Sequence, residues 1–354
     1  MKKTLFILFF VSSVVSSQSV RKYSNEFLNI GVDAAAFGMG KAVVATSNDV
    51  NAIYWNPAGL TAVEEYQGAI MHAEYFAGIA KYDYAGFAMP IDNYSALGIS
   101  LIRFGVDDIL NTTELIDNEG NIDYNRISLF SAADYALTIG YARKLRIEEL
   151  TIGGNVKIVR RIIGDFATSW GFGIDAALQY ERNNWKFGLM LRDITTTFNS
   201  WSIDENEFEK IKNAIPDQNQ ELPESTEITL PKAQLGIAKQ FEFSRDFNLL
   251  TEVDLNLRFT KTNDLISSDI VSIDPAFGFQ VGYMNTVFLR GGIGNIQNEL
   301  QFDNSKELVF QPNFGIGFKY KGIQLDYALT NIANTGNALY SNVFSIKIAF
   351  DNFR

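Results

Sequence analysis

Cysteine is absent from the 354 residues and histidine occurs once. Disulfide staples and thiolate metal sites are therefore excluded, and a lone imidazole argues against a zinc centre. Basic charge is also scarce. The 30 Lys and Arg face 41 Asp and Glu, for a net charge of −11, so there is no cation surplus to bind a nucleic-acid backbone. Long apolar runs are missing as well. The one candidate, Leu5 to Val15, is shorter than the roughly 20 residues a spanning helix needs. Any membrane crossing must be made by strands.

That apolar run follows Lys2 and Lys3 and precedes Ser16 and Ser17, the three parts of a secretory signal, so residues 1–17 read as a cleaved leader with Gln18 near the new terminus. What the chain does have is 27 Gly, 28 Phe and 15 Tyr against 7 Pro, a composition that favours strands. Period-two alternation recurs. Leu249, Thr251, Val253, Leu255, Leu257 and Phe259 share one face, opposite Leu250, Glu252, Asp254, Asn256 and Arg258. Trp170, Phe172, Ile174 and Leu178 likewise oppose Gly171, Gly173, Asp175 and Gln179. Further charges on the faces read as lumenal are Lys186, Arg192, Arg290, Lys319, Asp326 and Lys347.

A soluble sandwich also alternates, so connection lengths decide. Strands read at 67–75, 82–90, 94–104, 132–143, 149–161, 169–181, 185–194, 231–242, 247–259, 274–283, 286–294, 309–320, 323–331 and 341–351 make about fourteen. The gaps between them alternate, with short turns such as Arg182–Asn184, Met284–Asn285 and Lys321–Gly322 and long loops such as Gly105–Ser131 and Thr195–Leu230. Short turns at one end and long loops at the other are the asymmetry of an outer-membrane barrel. The fold expected is all-β, a transmembrane antiparallel barrel over 66–354 surrounded by outer-membrane lipid. Tyr82 to Pro90 is the least regular strand, because Pro90 lacks a ladder donor. The polar stretch Ser202 to Thr229 reads as a loop with one short helix.

About fifty residues precede the first strand, too many for a simple tether. VDAAAFGMGKAVV (32–44) is apolar with Gly38, Met39 and Gly40 at its centre, and SNDVNAIYWNPAGL (47–60) carries Tyr54 and Trp55, which need burial. The lumen is the available place, so 18–65 is expected to be a plug. Asn56-Pro57 reads as a helix cap followed by proline at the first helical position, with Gly59 just beyond, starting a short helix over Ala58 to Val63.

The order FLNIGVDAAAFGMGKAVVA, then SNDVNAIYWNPAGL, then alternating strands resembles the PorV/PorQ family of Bacteroidetes outer-membrane proteins, itself related to FadL-type transporters. The resemblance is specific over Phe27 to Leu60 and architectural beyond. It implies an outer-membrane protein of the type IX secretion system that receives a secreted protein cargo or a translocon subunit. The FadL relationship implies the alternative, a channel for hydrophobic small molecules. Outside the N-terminal segment the inner faces show no continuous apolar stripe for such a solute, only Phe104, Met190 and Phe288. Mixed lumenal charge suits ion pairs holding a plug, which favours the docking role. Apolar residues in the two longest loops, Ile109, Leu110, Leu115, Trp201, Ile203 and Phe208, are the expected partner contacts.

Enzyme chemistry finds little support. His72 shares a strand face with Glu74 and Ile70 and reads as a hydrogen-bonded lumenal residue, since a hydrolase would also need a nucleophile beside the base. The acidic groups Asp107-Asp108, Asp117 to Asp123 and Glu205 to Glu209 lack EF-hand spacing and read as solvated loop charge. Gly153-Gly154 and Gly291-Gly292 sit in strand patterns with no following Lys-Ser/Thr, so they read as structural glycines. No catalytic, cofactor or metal residue is assigned.

Overall fold

The computed structural model describes residues 24–76, 78–116, 120–147, 149–214, 225–300, 305–330 and 341–350. The leader (1–17), the first residues of the expected plug, the middle of the acidic run after Ile116, the loop at 332–340 and the last four residues lie outside them.

Alternation has produced strands as the pattern requires. They are β1 (Gln67–Tyr75), β2 (Ala80–Pro90), β3 (Ser95–Asn111), β4 (Ser128–Lys144), β5 (Leu150–Ile163), β6 (Ala167–Arg182), β7 (Trp185–Arg192), β8 (Thr197–Ile203), β9 (Thr226–Thr229), β10 (Lys232–Glu242), β11 (Phe247–Arg258), β12 (Ile266–Ser267), β13 (Ser272–Tyr283), β14 (Val287–Leu300), β15 (Lys306–Tyr320), β16 (Ile323–Thr330) and β17 (Ser341–Ala349). Fourteen of them form an antiparallel ring. β1 to β7 pair in order, β7 pairs with β10, β10 with β11, β11 with β13, β13 to β17 follow in order, and β17 closes on β1 with Gln67 opposite Ala349. Closure leaves no sheet edge, the condition for crossing lipid with strands. Among the described residues no helix is long and apolar enough to cross a membrane.

β8, β9 and β12 extend the wall at the long-loop end. β6 is shared: its Ala176–Arg182 part pairs with β7 and its Ala167–Phe172 part with β8. β7 and β8 are thus one strand path, broken at Asp193–Thr196, where Asp193 (φ 55°) and Thr196 (φ 60°) adopt left-handed backbone that opposes continued pairing. The long loops are shorter than the sequence implied. β3 runs to Asn111 and β4 starts at Ser128, so that much of the expected loop is a protruding hairpin, and the polar stretch after Ser202 holds a helix, Glu205–Ala214.

The outer surface is apolar over most of the ring: Leu289, Phe314, Ile316, Leu325 and Phe344 are all exposed outward. Aromatic residues gather near the short turns. Tyr66, Phe87 and Phe350 touch, as do Trp185 and Phe187, Phe247 and Tyr283, and Phe318 and Tyr320. Such a girdle marks the interface level of a membrane barrel.

One expectation of facing is overturned. His72 is not lumenal: β1 turns Ala69, Met71, Ala73 and Tyr75 inward and leaves Ile70, His72 and Glu74 outside, where His72 Nδ1 lies 2.7 Å from Asp83 on β2. The reason is what fills this sector. Over β1 to β4 the inner face is apolar, with Tyr82, Tyr84 and Ile102 buried in one cluster with Ile53, Trp55 and Leu60 of the N-terminal segment, so polar residues are displaced outward. The inner face therefore does carry an apolar stripe, contrary to the reading that it had none.

Candidate functional site: the lumenal segment and the cavities beside it

Residues 24–65 fold as short helices and turns against the inner faces of the strands. Helix α1 (Ala34–Gly38) is capped by the Asp33 carboxylate, which accepts from the Ala35 N–H, and α2 (Ala52–Trp55) leads to Asn56, whose side chain accepts from the Ala58 N–H and caps a 3₁₀ turn at Pro57–Ala62. The cap and proline at 56–57 act as the spacing predicted.

Glycine makes the contact possible. A Cβ on Gly153 would lie 2.4 Å from the Ala58 nitrogen, one on Gly188 2.4 Å from the Val44 oxygen, one on Gly278 2.3 Å from the Met39 oxygen, and one on Gly292 2.2 Å from the Met39 carbonyl carbon. Backbone meets backbone at these points, so a side chain has no room. Within the segment, Gly38 approaches Gly315 in the same way, Gly59 abuts the Ser47 carbonyl, and Gly40 takes φ +65°.

Buried polar groups on the wall hold the segment. Asp254 accepts the Val43 and Val44 N–H groups at 2.9 and 3.0 Å, and Glu252 accepts the Ala45 N–H at 2.6 Å and the Thr46 hydroxyl. Asn155 donates to the Ile53 carbonyl at 2.8 Å, and Asn56 donates to Val44 and to the Leu178 carbonyl on β6. Towards the short turns Lys347 lies 2.8 Å from Asp49 and 3.3 Å from Asp33, beside the Arg290–Asp326 pair at 2.7 Å. Burial pushes the Asp33 carboxyl up, but Lys347 and the Ser345 hydroxyl outweigh it and hold the group below the usual carboxylate range. These are the residues that sequence reasoning left unassigned. Glu252 and Asp254 carried a signal: their neighbours in register are Ala238 and Gly236 on β10 and Gly278 and Ala276 on β13. Buried acids flanked by small residues need donors from a third element.

Tyr54 and Trp55 are buried at the centre. The Trp55 indole donates to the Val32 carbonyl at 3.0 Å and meets Tyr54 edge-on, while the Tyr54 hydroxyl donates to Leu28 and the Arg192 guanidinium lies 4.6 Å from the Tyr54 ring. A cavity of about 470 Å³ lies towards the long loops, lined by Lys41, Arg192, Lys232 and Arg258, and one of about 300 Å³ lies towards the short turns, lined by Asp33, Lys186, Arg290 and Lys347. Trp55 borders both.

The expected partner contacts are not brought together. Ile109 and Leu110 belong to β3, beyond a register shift between Val106 and Ile109, and Leu115 sits in the turn after it. Trp201 and Ile203 belong to β8, on the inward-facing set with Thr197 and Asn199, and Arg161 covers the Trp201 ring at 5.1 Å. Phe208 is on the helix Glu205–Ala214. Leu110 is exposed, and with it on the β3–β4 hairpin are exposed Ile116, Ile122, Tyr124 and Leu129.

A closed fourteen-stranded ring, apolar outside and aromatic at one rim, defines a transmembrane β-barrel of outer-membrane type. The model of the family described as type IX secretion system protein PorV matches residues 15–240, and the chain belongs to that family. No curated protein matches the chain. Among solved structures, a FadL homologue of Pseudomonas aeruginosa is similar at 11% identity and a TM-score of 0.52, covering 90% of this chain and 98% of its own. The CymD monoaromatic hydrocarbon channel gives 12% identity and 0.54, covering 91% and 98%, and the Pseudomonas putida toluene transporter TodX gives 12% and 0.51, covering 90% and 96%. At these identities the likeness is one of fold.

Proposed function

We propose that this barrel works in type IX protein secretion by docking a secreted protein cargo or a translocon subunit at its long-loop end, with residues 18–65 as a plug that keeps the lumen closed. The PorV family match carries the reading. Its structural support is a segment, residues 24–65, hydrogen-bonded to the inner faces of the wall, while the β3–β4 hairpin offers exposed apolar residues. Exposed Leu110, Ile116, Ile122, Tyr124 and Leu129 replace Trp201 and Ile203 as the anchors, because the latter face inward.

The test is to shorten the hairpin between Asn111 and Ser128 and to compare secreted proteins and co-purifying partners with those of wild type. Loss of a partner with a still heat-modifiable barrel is expected. Unchanged secretion and an unchanged partner set would refute docking at this surface. A second reading, a channel for hydrophobic small molecules, is favoured by one observation: the apolar inner stripe of Met71, Tyr75, Tyr82, Tyr84 and Ile102 beneath the segment. It predicts loss of solute uptake when Tyr82 or Ile102 is made polar, with secretion intact.

A further inference from the structure

We propose that the 470 Å³ cavity at the long-loop end is a binding site for a polar organic anion, a molecule that presents a carboxylate or phosphate group to Lys41 and Arg192. The volume falls in the range of small-ligand pockets, about 300–1,000 Å³.

Charge balance makes the case. In a chain of net charge −11, the lining sets four basic side chains, Lys41, Arg192, Lys232 and Arg258, against two acidic ones, Glu26 and Asp274. Part of this positive charge is neutralised in place. Arg258 lies 2.7 Å from Asp264, and Lys232 lies 3.5 Å from Glu26. Arg192 and Lys41 differ. The hydrogen bonds of Arg192 go to neutral oxygens, Gln234 Oε1 at 2.7 Å and the Tyr54 carbonyl at 2.8 Å. Lys41 has the Phe37 ring 5.4 Å from its ammonium and, among the described residues, no carboxylate at ion-pair distance.

Two cations held in a partly enclosed space with no carboxylate at ion-pair distance among the described residues, and with Asp274 acting on Lys41 from farther off, are costly unless an anion completes the set. Buried cations elsewhere in this lumen do not share the deficit: Lys157 contacts Asp175 and Asp193 at 2.8 and 2.6 Å, and Arg290 contacts Asp326. Asn313, 4% exposed, adds a neutral amide to the lining beside these cations. Burial pushes the Lys41 amine down to about 8, against the opposing pull of Asp274, the sign expected of a cation that lacks a neutralising contact.

The lining also says what the ligand is not. Gln234, Asn256, Gln297, Gln311 and Asn313 lie among the cations, a lining that a compact polar anion matches better than a long hydrocarbon tail does. The apolar stripe lies elsewhere, beneath the segment on β1 to β4. This site is therefore separate from any hydrophobic-solute route, and it does not depend on the docking role.

The experiment is calorimetric titration of the full-length protein, folded in a non-ionic detergent at fixed ionic strength, with citrate, inorganic phosphate, laurate and glycerol. Citrate or phosphate should bind, more weakly as sodium chloride is raised and unaffected by glycerol, and the tighter of the two assigns the site to carboxylate or phosphate. Lys41→Met and Arg192→Gln should each weaken that binding at least tenfold. Lys41→Met guards against misfolding, since Lys41 makes no ion pair, and a cooperative melt at or above the wild-type temperature qualifies it. Failure of wild type to bind either hydrophilic anion, equal binding by the folded Lys41→Met variant, or tighter binding of laurate than of citrate and phosphate would each overturn the proposal.

Discussion

Replacing Trp55 by alanine tests whether the lumenal segment closes the barrel. Trp55 is 4% exposed and borders both cavities, about 470 and 300 Å³ in volume. Truncation removes the indole and orphans the Val32 carbonyl that it now satisfies. Large-to-small changes of this kind cost about 3–5 kcal/mol, and the orphaned acceptor adds roughly 1 kcal/mol. The loss falls on packing within the segment, since no strand-ladder hydrogen bond is touched. The barrel should stay heat-modifiable, while the two cavities merge into a path between the rims. Planar-bilayer recording should show a rise in conductance and limited proteolysis a loosened segment. Trp55→Phe keeps apolar bulk and loses only the donor, so it should stay near wild type in conductance. If Trp55→Ala is as closed and as protease-resistant as wild type, the indole is not the partition and the plug reading fails with it.

The remaining predictions probe the wall and its charges. Gly292→Val puts a Cβ where the Met39 backbone lies 2.2 Å away, so it should expel the segment, raising its proteolysis without unfolding the ring. On β11, Leu255→Arg faces outward and should cost about 2–4 kcal/mol in detergent or lipid refolding, while Asn256→Arg, facing inward, should cost much less; equal costs would reverse the facing. Lys41 has a folded-state pKa of about 8, below its unfolded value, so the unfolded chain binds more protons between the two and stability should rise with pH through that window. Lys41→Met should accordingly stabilise the ligand-free protein at pH 7 by up to about 3 kcal/mol, a gain that shrinks as pH climbs past 8. A flat difference across this range would show that the amine is solvated.

Much of the barrel was legible because a strand between lipid and a polar lumen must alternate. Leu255 and Asn256, or Trp170 and Gly171, declare their faces directly, and short Lys321–Gly322 and Asn183–Asn184 turns declare the ends. Extended hairpins were not legible, because alternation fades where both faces meet water: Ile109 and Leu110 lie past the shift at Val106, and local pattern alone does not say that pairing resumes. Trp201 was misplaced for a related reason. As a large aromatic in a polar stretch it resembles an interface anchor, yet β8 turns it inward beneath Arg161.

His72 shows the deeper limit. The rule that polar residues face the lumen assumes that the lumen holds water, but over β1 to β4 the inner face is buried in a cluster with Ile53, Trp55 and Leu60. In that sector the lumen is a protein core, so Met71, Tyr75, Tyr82 and Tyr84 go in, and His72, Asp83 and Arg103 go out as a self-paired polar row, His72 with Asp83 and Arg103 with Asp107 at 2.8 Å. Elsewhere the same segment presents backbone N–H groups, and there the wall answers with Glu252 and Asp254 set among glycine and alanine. Facing in each sector is thus decided by which surface of residues 24–65 it meets, apolar side chain or peptide group. The wall and the segment have to be read together, because the inner sequence of each strand is complementary to a stretch of chain far from it in number.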